Sequence, residues 1–299
     1  MTENSPKPPI WRSLLYVPAN NPRFIAKAHT RGADAIILDL EDAVPQTARP
    51  AARAALAESI AAAGQAGADV TVRINRPLRE AVSDLEASVI AGVRALFVAK
   101  IESPDHLRLI DESVSELEAE RGLPVGGIGF CAMIESPGAL RRAAEIARSS
   151  PRVIAMTLGG EDFAMEMHAP PDPETLELPK LMCLMAAREA GVTPLGFLGT
   201  VADYTDLEAV GKTLARSRKF GFEGASCIHP AVIPLLNEAF APTPAEVDWA
   251  ERVVTEYAVA QAEGKGAISV DGKMVDVPVA IRAERVLKHH KAISDKATG

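Results

Sequence analysis

The sequence predicts an α/β protein built as a (β/α)8, or TIM, barrel with a C-terminal hairpin-plus-helix appendage. Short apolar runs alternate with longer, alanine-rich helical stretches, and eight such pairs are complete by about residue 240. Most of the apolar runs are continuous, as expected for strands of a parallel sheet that is buried on both faces. Alternating strands and helices in this number favour a barrel, and a doubly wound open sheet is the second choice.

Each predicted strand is a short β-type run that ends in polar or turn-forming residues. In chain order the strands are Ser13–Val17, Ala35–Leu40, Val70–Asn75, Ala95–Lys100, Ile128–Ile134, Val153–Leu158, Thr193–Leu198 and Gly224–His229. The main predicted helices are Arg49–Ala63, Ser83–Gly92, Pro104–Arg121, Gly138–Arg148, Leu178–Ala190 and Leu207–Phe220. The segment Tyr16–Pro22, after the first strand, contains no glycine, which counts against a dinucleotide-binding open sheet.

The pattern changes after the barrel, so we expect three regions: a disordered lead-in at residues 1–10, a barrel at 11–240 and an appendage at 241–299. The appendage begins with a helix over Val247–Glu263 and ends with a helix over Val279–His290. Between them, Asp271-Gly272 separates two apolar runs, which is a strong signal for a β-hairpin.

Composition excludes several classes of function. The formal net charge of −8 over 299 residues argues against general binding to nucleic acid or anionic membranes. No apolar run approaches the ~20 residues of a membrane span, and the N-terminus has no signal-peptide hydrophobic region. Three cysteines without metal-ligand spacing predict buried thiols in a reducing compartment: Cys131, Cys183 and Cys227. We therefore expect a soluble cytoplasmic enzyme.

Two carboxylates stand where strand-like runs end, Glu135 after Ile128–Ile134 and Asp162 after Val153–Leu158. The C-terminal ends of barrel strands converge on the face that carries the chemistry. Two hard oxygen ligands with few other donors suit Mg²⁺, which keeps several waters and takes its remaining ligands from substrate. The alternative is that both acids are solvated or cap helix N-termini.

Further charged residues end neighbouring strands. Arg73 is in a position to bind a carboxylate with two hydrogen bonds, or to form a structural ion pair with a barrel acid. Alternation along the second strand places Asp39 and Glu41 on one face, where they can hold Arg73, orient a metal-bound water or bind metal directly. The first two roles are favoured, because further acids would overcharge a Mg²⁺ site. Lys100 ends the fourth strand and either meets an anionic substrate or neutralises the acids.

The strand ends also bring backbone groups and a histidine to the same face. Gly159 and Gly160 allow close backbone approach, so N–H groups from there to Glu161 can hold a carboxylate or an enolate oxygen. An ordinary strand-to-helix turn is the alternative. His229 ends the eighth strand, and without a second histidine at ligand spacing it predicts a structural or substrate-anchoring side chain.

A set of motifs in order gives the chain a family resemblance over about residues 11–290. They are Arg12-Ser-Leu-Leu-Tyr-Val-Pro, Ile37-Leu-Asp-Leu-Glu-Asp-Ala-Val, Val72-Arg-Ile-Asn, Lys100-Ile-Glu-Ser-Pro, Met133-Ile-Glu-Ser-Pro-Gly, Gly159-Gly-Glu-Asp-Phe, Cys227-Ile-His-Pro and Val270-Asp-Gly-Lys-Met-Val-Asp-Val-Pro. Together they resemble the citrate lyase β-subunit-like proteins of the HpcH/HpaI aldolase superfamily.

The resemblance implies a TIM barrel that holds Mg²⁺ on Glu135 and Asp162 and grips a 2-oxo acid with Arg73. It implies cleavage or formation of a C–C bond between an acyl-CoA and a 2-oxo acid such as glyoxylate or pyruvate. Asp276 matches the family's catalytic acid, which reaches into a neighbouring subunit's site. The family commonly forms trimers or hexamers, so we expect a homo-oligomer.

Two departures from the family pattern leave the substrate open. Leu198 stands where the family often has Asp, and Ala99 stands where it often has Pro. We expect a lyase or synthase on a malyl-CoA or citramalyl-CoA type ester. The alternatives are a thioesterase on the same ester, an aldolase that needs no CoA, a citrate lyase β subunit within a complex, and a non-catalytic CoA-binding module.

Overall fold

The computed structural model describes residues 6–202 and 204–298, with the backbone alone at 297 and 298. The first five residues of the expected lead-in therefore lie outside the described residues, and residues 6–10 form no helix or strand. The chain divides into two compact units, Met1–Phe240 and Ala241–Gly299. No described helix is both long and apolar enough to cross a bilayer.

The first unit is built on eight parallel strands. They are β1 (Ser13–Pro18), β2 (Ala35–Asp39), β3 (Asp69–Ile74), β4 (Val93–Val98), β5 (Gly129–Ile134), β6 (Val153–Leu158), β7 (Thr193–Pro194) and β8 (Ala225–Cys227). Their order in the sheet is β7-β6-β5-β4-β3-β2-β1-β8, so neighbours in sequence are neighbours in space and β8 returns to β1. A parallel bridge between Leu195 and Gly224 joins the two edges. This arrangement confirms the predicted barrel fold.

Helices follow the strands around the outside of the sheet. Those of the first unit are α1 (Pro22–Ala28), α2 (Arg49–Ala54), α3 (Leu56–Ala63), α4 (Leu78–Ser88), α5 (Pro104–Glu120), α6 (Pro137–Arg141), α7 (Ala143–Arg148), α8 (Gly160–Glu166), α9 (Pro173–Ala190), α10 (Leu207–Phe220) and α11 (Ile233–Ala239), with 3-10 turns at His29–Arg31, Gln46–Ala48 and Pro230–Val232. Ser103 and Ser136 cap α5 and α6 through their side chains, and a proline follows each cap.

Two apolar layers explain why the strands read as continuous hydrophobic runs. The larger layer lies between the sheet and the helices and includes Ile36, Val72, Leu96 and Phe130. The smaller layer fills the inside of the sheet and includes Trp11, Leu14, Ile37, Phe97, Cys131 and Met133. Successive strand residues alternate between the layers, so both faces are buried and neither needs polar residues.

The seventh strand is the element that the sequence described least well. The predicted strand Thr193–Leu198 pairs only over Thr193–Pro194 and through the bridge at Leu195. Gly196 then adopts a φ of +131°, which turns the chain out of the extended conformation. Leu198, the departure from the family pattern, is buried in the outer apolar layer.

The second unit consists of α12 (Pro244–Ala262), strands β9 (Ile268–Val270) and β10 (Lys273–Val275), and α13 (Val277–Thr298). Asp271 and Gly272 both have positive φ values, 51° and 74°, as a tight two-residue hairpin turn requires. Hence the predicted hairpin-plus-helix is confirmed. Its own core contains Ala250, Val253, Tyr257, Val270, Val275, Ala280 and Ala283.

Candidate active site

Charged side chains from five consecutive strand ends meet at the C-terminal edge of the sheet. We call them the mouth cluster: Asp39, Glu41, Asp42, Arg73, Lys100, Glu135 and Asp162. Five carboxylates face two cations there. The parallel register puts each side chain at the end of its own strand, so the convergence follows from the topology of the barrel.

Asp39 orients Arg73. The Arg73 Nε and Nη2 atoms donate to the two Asp39 oxygens, each at 2.7 Å. Backbone N–H groups of Glu41 and Ala43 donate to the same oxygens. Four donors saturate a carboxylate, so Asp39 has no acceptor left for a substrate and positions Arg73 instead. This geometry therefore favours a positioning role for Asp39 over the substrate contact that the sequence led us to expect.

Arg73 keeps one edge of its guanidinium toward the mouth. The Arg73 Nη1 atom lies 3.0 Å from Glu41 Oε2, at an angle that leaves this buried oxygen without a hydrogen bond. The Tyr16 ring packs 4.9 Å from the guanidinium carbon. Asp39 takes the Nε and Nη2 edge that could grip a substrate carboxylate, so the donors that remain are the N–H groups of Nη1 and the second N–H of Nη2.

Lys100 links the two predicted metal ligands. Its backbone N–H donates to the Glu135 carboxylate, and its Nζ lies 3.4 Å from Asp162 Oδ1 and 2.5 Å from Glu41 Oε1. Lys100 has a φ of +51°, a left-handed conformation that costs a non-glycine residue about 1 kcal/mol. The backbone thus turns sharply after β4, which places the amide and the ammonium of one residue on two different carboxylates.

Burial changes the acidity of the cluster. Glu135 is 3% exposed, and loss of hydration raises its pKa to about 8, with the nearby Asp162 charge adding to the rise. Burial also raises the pKa of Glu41, against the pull of Arg73 and Lys100. A further positive charge close to Glu135 and Glu41, such as a bound metal ion, would favour their ionised forms.

The turn between β6 and α8 packs directly against the Glu135 side chain. A Cβ atom on Gly159 would lie only 2.8 Å from Glu135 Cδ, so no other residue fits there without displacing the carboxylate. Asp162 lies in the first turn of α8, directly after Gly160 and Glu161. The Glu161 side chain points to a different neighbour, because its Oε1 accepts a hydrogen bond from Thr200.

His229 and Asp276 both act as helix caps, each within its own unit. His229 Nδ1 accepts from the Ala231 N–H at 3.2 Å, and its ring stacks on Tyr204 with centroids 5.0 Å apart. The Val279 N–H points to Asp276 Oδ1 at 3.4 Å, at the start of α13. Asp276 thus caps α13 through one carboxylate oxygen, and the second oxygen stays available for the catalytic role that the family resemblance implies.

Sequence reasoning missed three charged or polar side chains. Asp42 belongs to the acid run after β2 and lies 3.3 Å from Lys100 Nζ. Tyr16 is a hydroxyl-bearing aromatic at the end of an otherwise apolar strand, which is a usable signal. Lys180 interrupts the apolar face of α9 and is 7% exposed. A lysine within a leucine- and methionine-rich helical run was the signal for it.

The carboxylates of the mouth cluster do not gather around one point. Within residues 6–202 and 204–298, no three His, Cys, Asp or Glu side chains lie close enough to hold a metal by themselves. Arg73 and Lys100 lie between the acids and separate them. An ion bound by Glu135 and Asp162 must therefore complete its coordination with water or substrate, as Mg²⁺ commonly does.

Comparison with known proteins identifies the family. Residues 12–230 match the model of the HpcH/HpaI aldolase/citrate lyase family, and the chain belongs to that family. It is 34% identical over 282 residues to the citrate lyase subunit beta of Leuconostoc mesenteroides subsp. cremoris, covering 93% of this chain and 92% of the relative.

Two other relatives differ in activity and in bound ligands. The (3S)-malyl-CoA thioesterase of Cereibacter sphaeroides is 33% identical over 287 residues, covering 95% of this chain and 96% of the relative. The CitE protein of Mycobacterium tuberculosis, solved in complex with magnesium, acetoacetate and coenzyme A, has a TM-score of 0.72 at 28% identity. That alignment covers 97% of this chain and the whole of the relative. Relatives of this chain thus include a lyase subunit, a thioesterase and a protein that binds magnesium and coenzyme A.

Proposed function

We propose that the protein is a Mg²⁺-dependent lyase or synthase that acts on a malyl-CoA or citramalyl-CoA type ester. Its products in the cleaving direction are an acyl-CoA and a 2-oxo acid such as glyoxylate or pyruvate. One observation carries the proposal: Glu135 and Asp162, separate in sequence, are both held by Lys100 within a cluster of excess negative charge. The magnesium and coenzyme A in the CitE relative support it.

Glu135 and Asp162 are the residues proposed to hold Mg²⁺. Two observations indicate that they fit the ion. Five carboxylates outnumber two cations in the mouth cluster. The Glu135 carboxylate also occupies space that a side chain at position 159 would fill, so Gly159 is needed to keep it in place. When bound, Mg²⁺ supplies Lewis-acid polarisation of the substrate's oxo or hydroxyl oxygen.

Arg73 and the start of α8 are proposed to orient the acid part of the substrate. Arg73 Nη1 is directed toward the mouth because Asp39 fixes the opposite edge of the guanidinium. A planar cation held in this way donates to a carboxylate with little loss of conformational entropy. Backbone N–H groups in the first turn of α8, from Gly160 and Glu161, are free of intrahelical partners and suit a second anionic oxygen.

Proton transfer is assigned to Glu41 and Asp276. In the cleaving direction Glu41 accepts the proton of the substrate hydroxyl, the C–C bond breaks, and its electron pair forms the acyl-CoA enolate. Asp276 then donates a proton to the enolate carbon, which releases the acyl-CoA. Burial raises the pKa of Glu41, which increases its affinity for the proton that it must accept.

Asp276 is proposed to act on a neighbouring subunit of a homotrimer or hexamer. The residues around it support this because they expose apolar surface: Met274 is 69% exposed, Val277 50% and Ile281 43%. Large apolar side chains grouped on a surface are typical of protein interfaces.

The three cysteines are free and buried, which is typical of proteins in a reducing compartment. We propose that this compartment is the cytoplasm.

A thioesterase acting on the same ester is the second candidate, favoured by the similarity to the (3S)-malyl-CoA thioesterase. The same mouth cluster can direct water at a thioester carbonyl. A CoA-independent aldolase, a lyase subunit that needs partner chains and a non-catalytic CoA-binding module are further possibilities that one assay can separate.

The deciding experiment incubates the purified protein with (3S)-malyl-CoA, with (3S)-citramalyl-CoA and with a CoA-free hydroxy-oxo acid, each with Mg²⁺ or with a chelator. A lyase releases glyoxylate or pyruvate and no free thiol. A thioesterase releases free CoA thiol and no 2-oxo acid. Product detection uses hydrazone formation for the oxo acid and a thiol reagent for CoA.

Glu135→Gln provides the catalytic control and Glu166→Gln, an exposed acid of α8, the matched control that keeps activity. Magnesium-dependent 2-oxo acid without thiol supports the proposal. Thiol alone supports the thioesterase. Cleavage of hydroxy-oxo acids but not of CoA esters identifies the aldolase. No product from any substrate, in a folded protein, contradicts an independent enzyme and leaves the subunit or the CoA-binding module.

A further inference from the structure

Lys180 is a buried lysine that forms no ion pair with any acid in the described part of the chain. It lies on α9, is 7% exposed, and its Nζ donates to the carbonyl oxygen of Gly199. Its ammonium also lies 5.7 Å from the centroid of the Phe197 ring. Across residues 6–202 and 204–298, no carboxylate comes within ion-pair distance of it. Buried charges are usually paired, because desolvation is otherwise uncompensated.

The side chain of Lys180 lines a cavity beside the mouth cluster. The cavity has a volume of about 60 Å³, which is room for roughly four waters or for one carboxylate group. Its wall includes three hydroxyl-bearing residues, Thr157, Thr200 and Ser226. It reaches the turn that precedes Asp162, since a Cβ atom on Gly160 would lie 3.8 Å from Lys180 Nζ.

The free donors of Lys180 exceed the acceptors around them. An ammonium offers three N–H donors, and the carbonyl of Gly199 takes one. Burial lowers the pKa of Lys180 to about 8, so the group is still mainly charged near neutral pH. A buried cation with unused N–H donors, next to a cavity that can hold a small molecule, is typical of an anion-binding site.

Among the described residues that line this cavity, one other carries a charge, Glu161. Glu161 raises the pKa of Lys180 by its negative charge, yet it stays outside ion-pair distance. Its Oε1 accepts from the Thr200 hydroxyl, and the residue is exposed to solvent. Solvent screening weakens the repulsion between Glu161 and a bound anion, whereas burial strengthens the attraction between Lys180 and that anion.

We propose that this cavity binds a small carboxylate, with Lys180 as its cation. The carboxylate has two possible sources. One is the second carboxylate of a dicarboxylic 2-oxo acid that is bound at the mouth cluster in place of glyoxylate or pyruvate, and this source rests on the metal and 2-oxo acid site of the proposed function. The other is a free monocarboxylate that binds on its own. The hydroxyl-bearing wall and the small volume suit a carboxylate better than a bulky phosphate ester.

Titration calorimetry on the full chain separates the two sources. The first arm adds acetate to protein that has been depleted of metal, in a carboxylate-free buffer without Mg²⁺, so it needs neither the ion nor turnover. The second arm compares oxaloacetate with pyruvate in Mg²⁺. Both arms use the wild-type protein, Lys180→Met, Lys180→Arg and the matched surface control Lys212→Met, whose lysine is exposed and paired with Glu208.

Loss of acetate affinity of about tenfold or more in Lys180→Met, with binding kept in Lys212→Met and Lys180→Arg, identifies a free carboxylate ligand. A preference for oxaloacetate over pyruvate that disappears in Lys180→Met identifies the second carboxylate of a substrate. The proposal is overturned if neither arm depends on Lys180. The acetate arm stands even where the proposed function fails, because it measures no reaction.

If Lys180→Met does not fold, two crystal structures of the wild-type protein test the proposal instead. One is determined with acetate and the other with Mg²⁺ and oxaloacetate. A carboxylate within hydrogen-bond distance of Lys180 Nζ in either structure supports the proposal. Water alone at this position in both structures overturns it.

Discussion

Glu135 and Asp162 lie on either side of Lys100, and this residue-scale arrangement leads to the first prediction. Glu135→Gln and Asp162→Asn each keep side-chain volume but remove one charged oxygen ligand. We expect each to abolish Mg²⁺-dependent turnover, measured as release of 2-oxo acid, while circular dichroism shows an unchanged fold. Glu166→Gln on α8 is the matched control. Full turnover of both variants in a chelator contradicts the metal assignment.

Arg73 and Asp39 form one unit, so they should be tested together. Arg73→Lys loses the planar edge that Asp39 holds, and Asp39→Asn loses the charge that orients Arg73. We expect both to weaken 2-oxo acid binding by about 1.5–3 kcal/mol, measured by calorimetry in Mg²⁺. A lower urea midpoint with unchanged affinity would show instead that this buried pair serves stability alone.

Gly159 offers a third residue-scale test. Gly159→Ala adds a methyl group against the Glu135 carboxylate, so we expect a loss of Mg²⁺ affinity in calorimetry. Gly211→Ala is the control, because a Cβ atom there meets nothing within 4 Å and the residue lies inside α10. That control should gain about 0.4–1 kcal/mol of stability. Equal Mg²⁺ affinity in both variants contradicts a close fit around Glu135.

At the scale of elements, the hairpin β9–β10 delivers Asp276 to the start of α13. The turn at Asp271-Gly272 fixes the pairing of Lys273 with Val270, and this register sets where the chain leaves the hairpin. The position of Asp276 as a cap therefore follows from local sequence. Its proposed action on a neighbouring subunit does not, because that depends on how copies of the chain assemble.

Mixing two inactive variants tests this action. Asp276→Ala lacks the proposed acid and Asp162→Asn lacks a metal ligand. Unfolded and refolded together, they should recover about a quarter of the wild-type turnover if a site takes one residue from each of two subunits, since random pairing restores both groups in one site out of four. Mixed oligomers that form but stay inactive count against a shared site.

For the whole molecule, the excess of carboxylates at the mouth predicts that a bound cation stabilises the folded state. An ion that binds only the folded state raises the free energy of unfolding by mass action, about 2.7 kcal/mol at one hundred times its dissociation constant. We expect Mg²⁺ to raise the Tm of the wild-type protein and not that of Asp162→Asn, in a scan with calcium-free buffer. An equal rise in both would place the stabilising ion elsewhere.

The sequence by itself determined the barrel and the appendage. Continuous apolar runs specify strands buried on both faces, serine and proline specify helix starts, and Asp271-Gly272 specifies a hairpin turn. These signals are local, so they can be recognised along the chain. β7 shows the limit, because an apolar run there pairs over two residues only and then turns at Gly196.

Only the tertiary structure decided which charges meet. The sequence indicated that Arg73, Lys100 and the acids end neighbouring strands, but not that Asp39 occupies two of the Arg73 nitrogens or that Lys100 spans Glu135 and Asp162. The sequence marks Lys180 as an unusual lysine in an apolar helical run but not what it faces, since its cavity is formed by distant segments. Ion pairs and cavities depend on distances between side chains far apart in sequence, and a pattern of residue types contains no such distances.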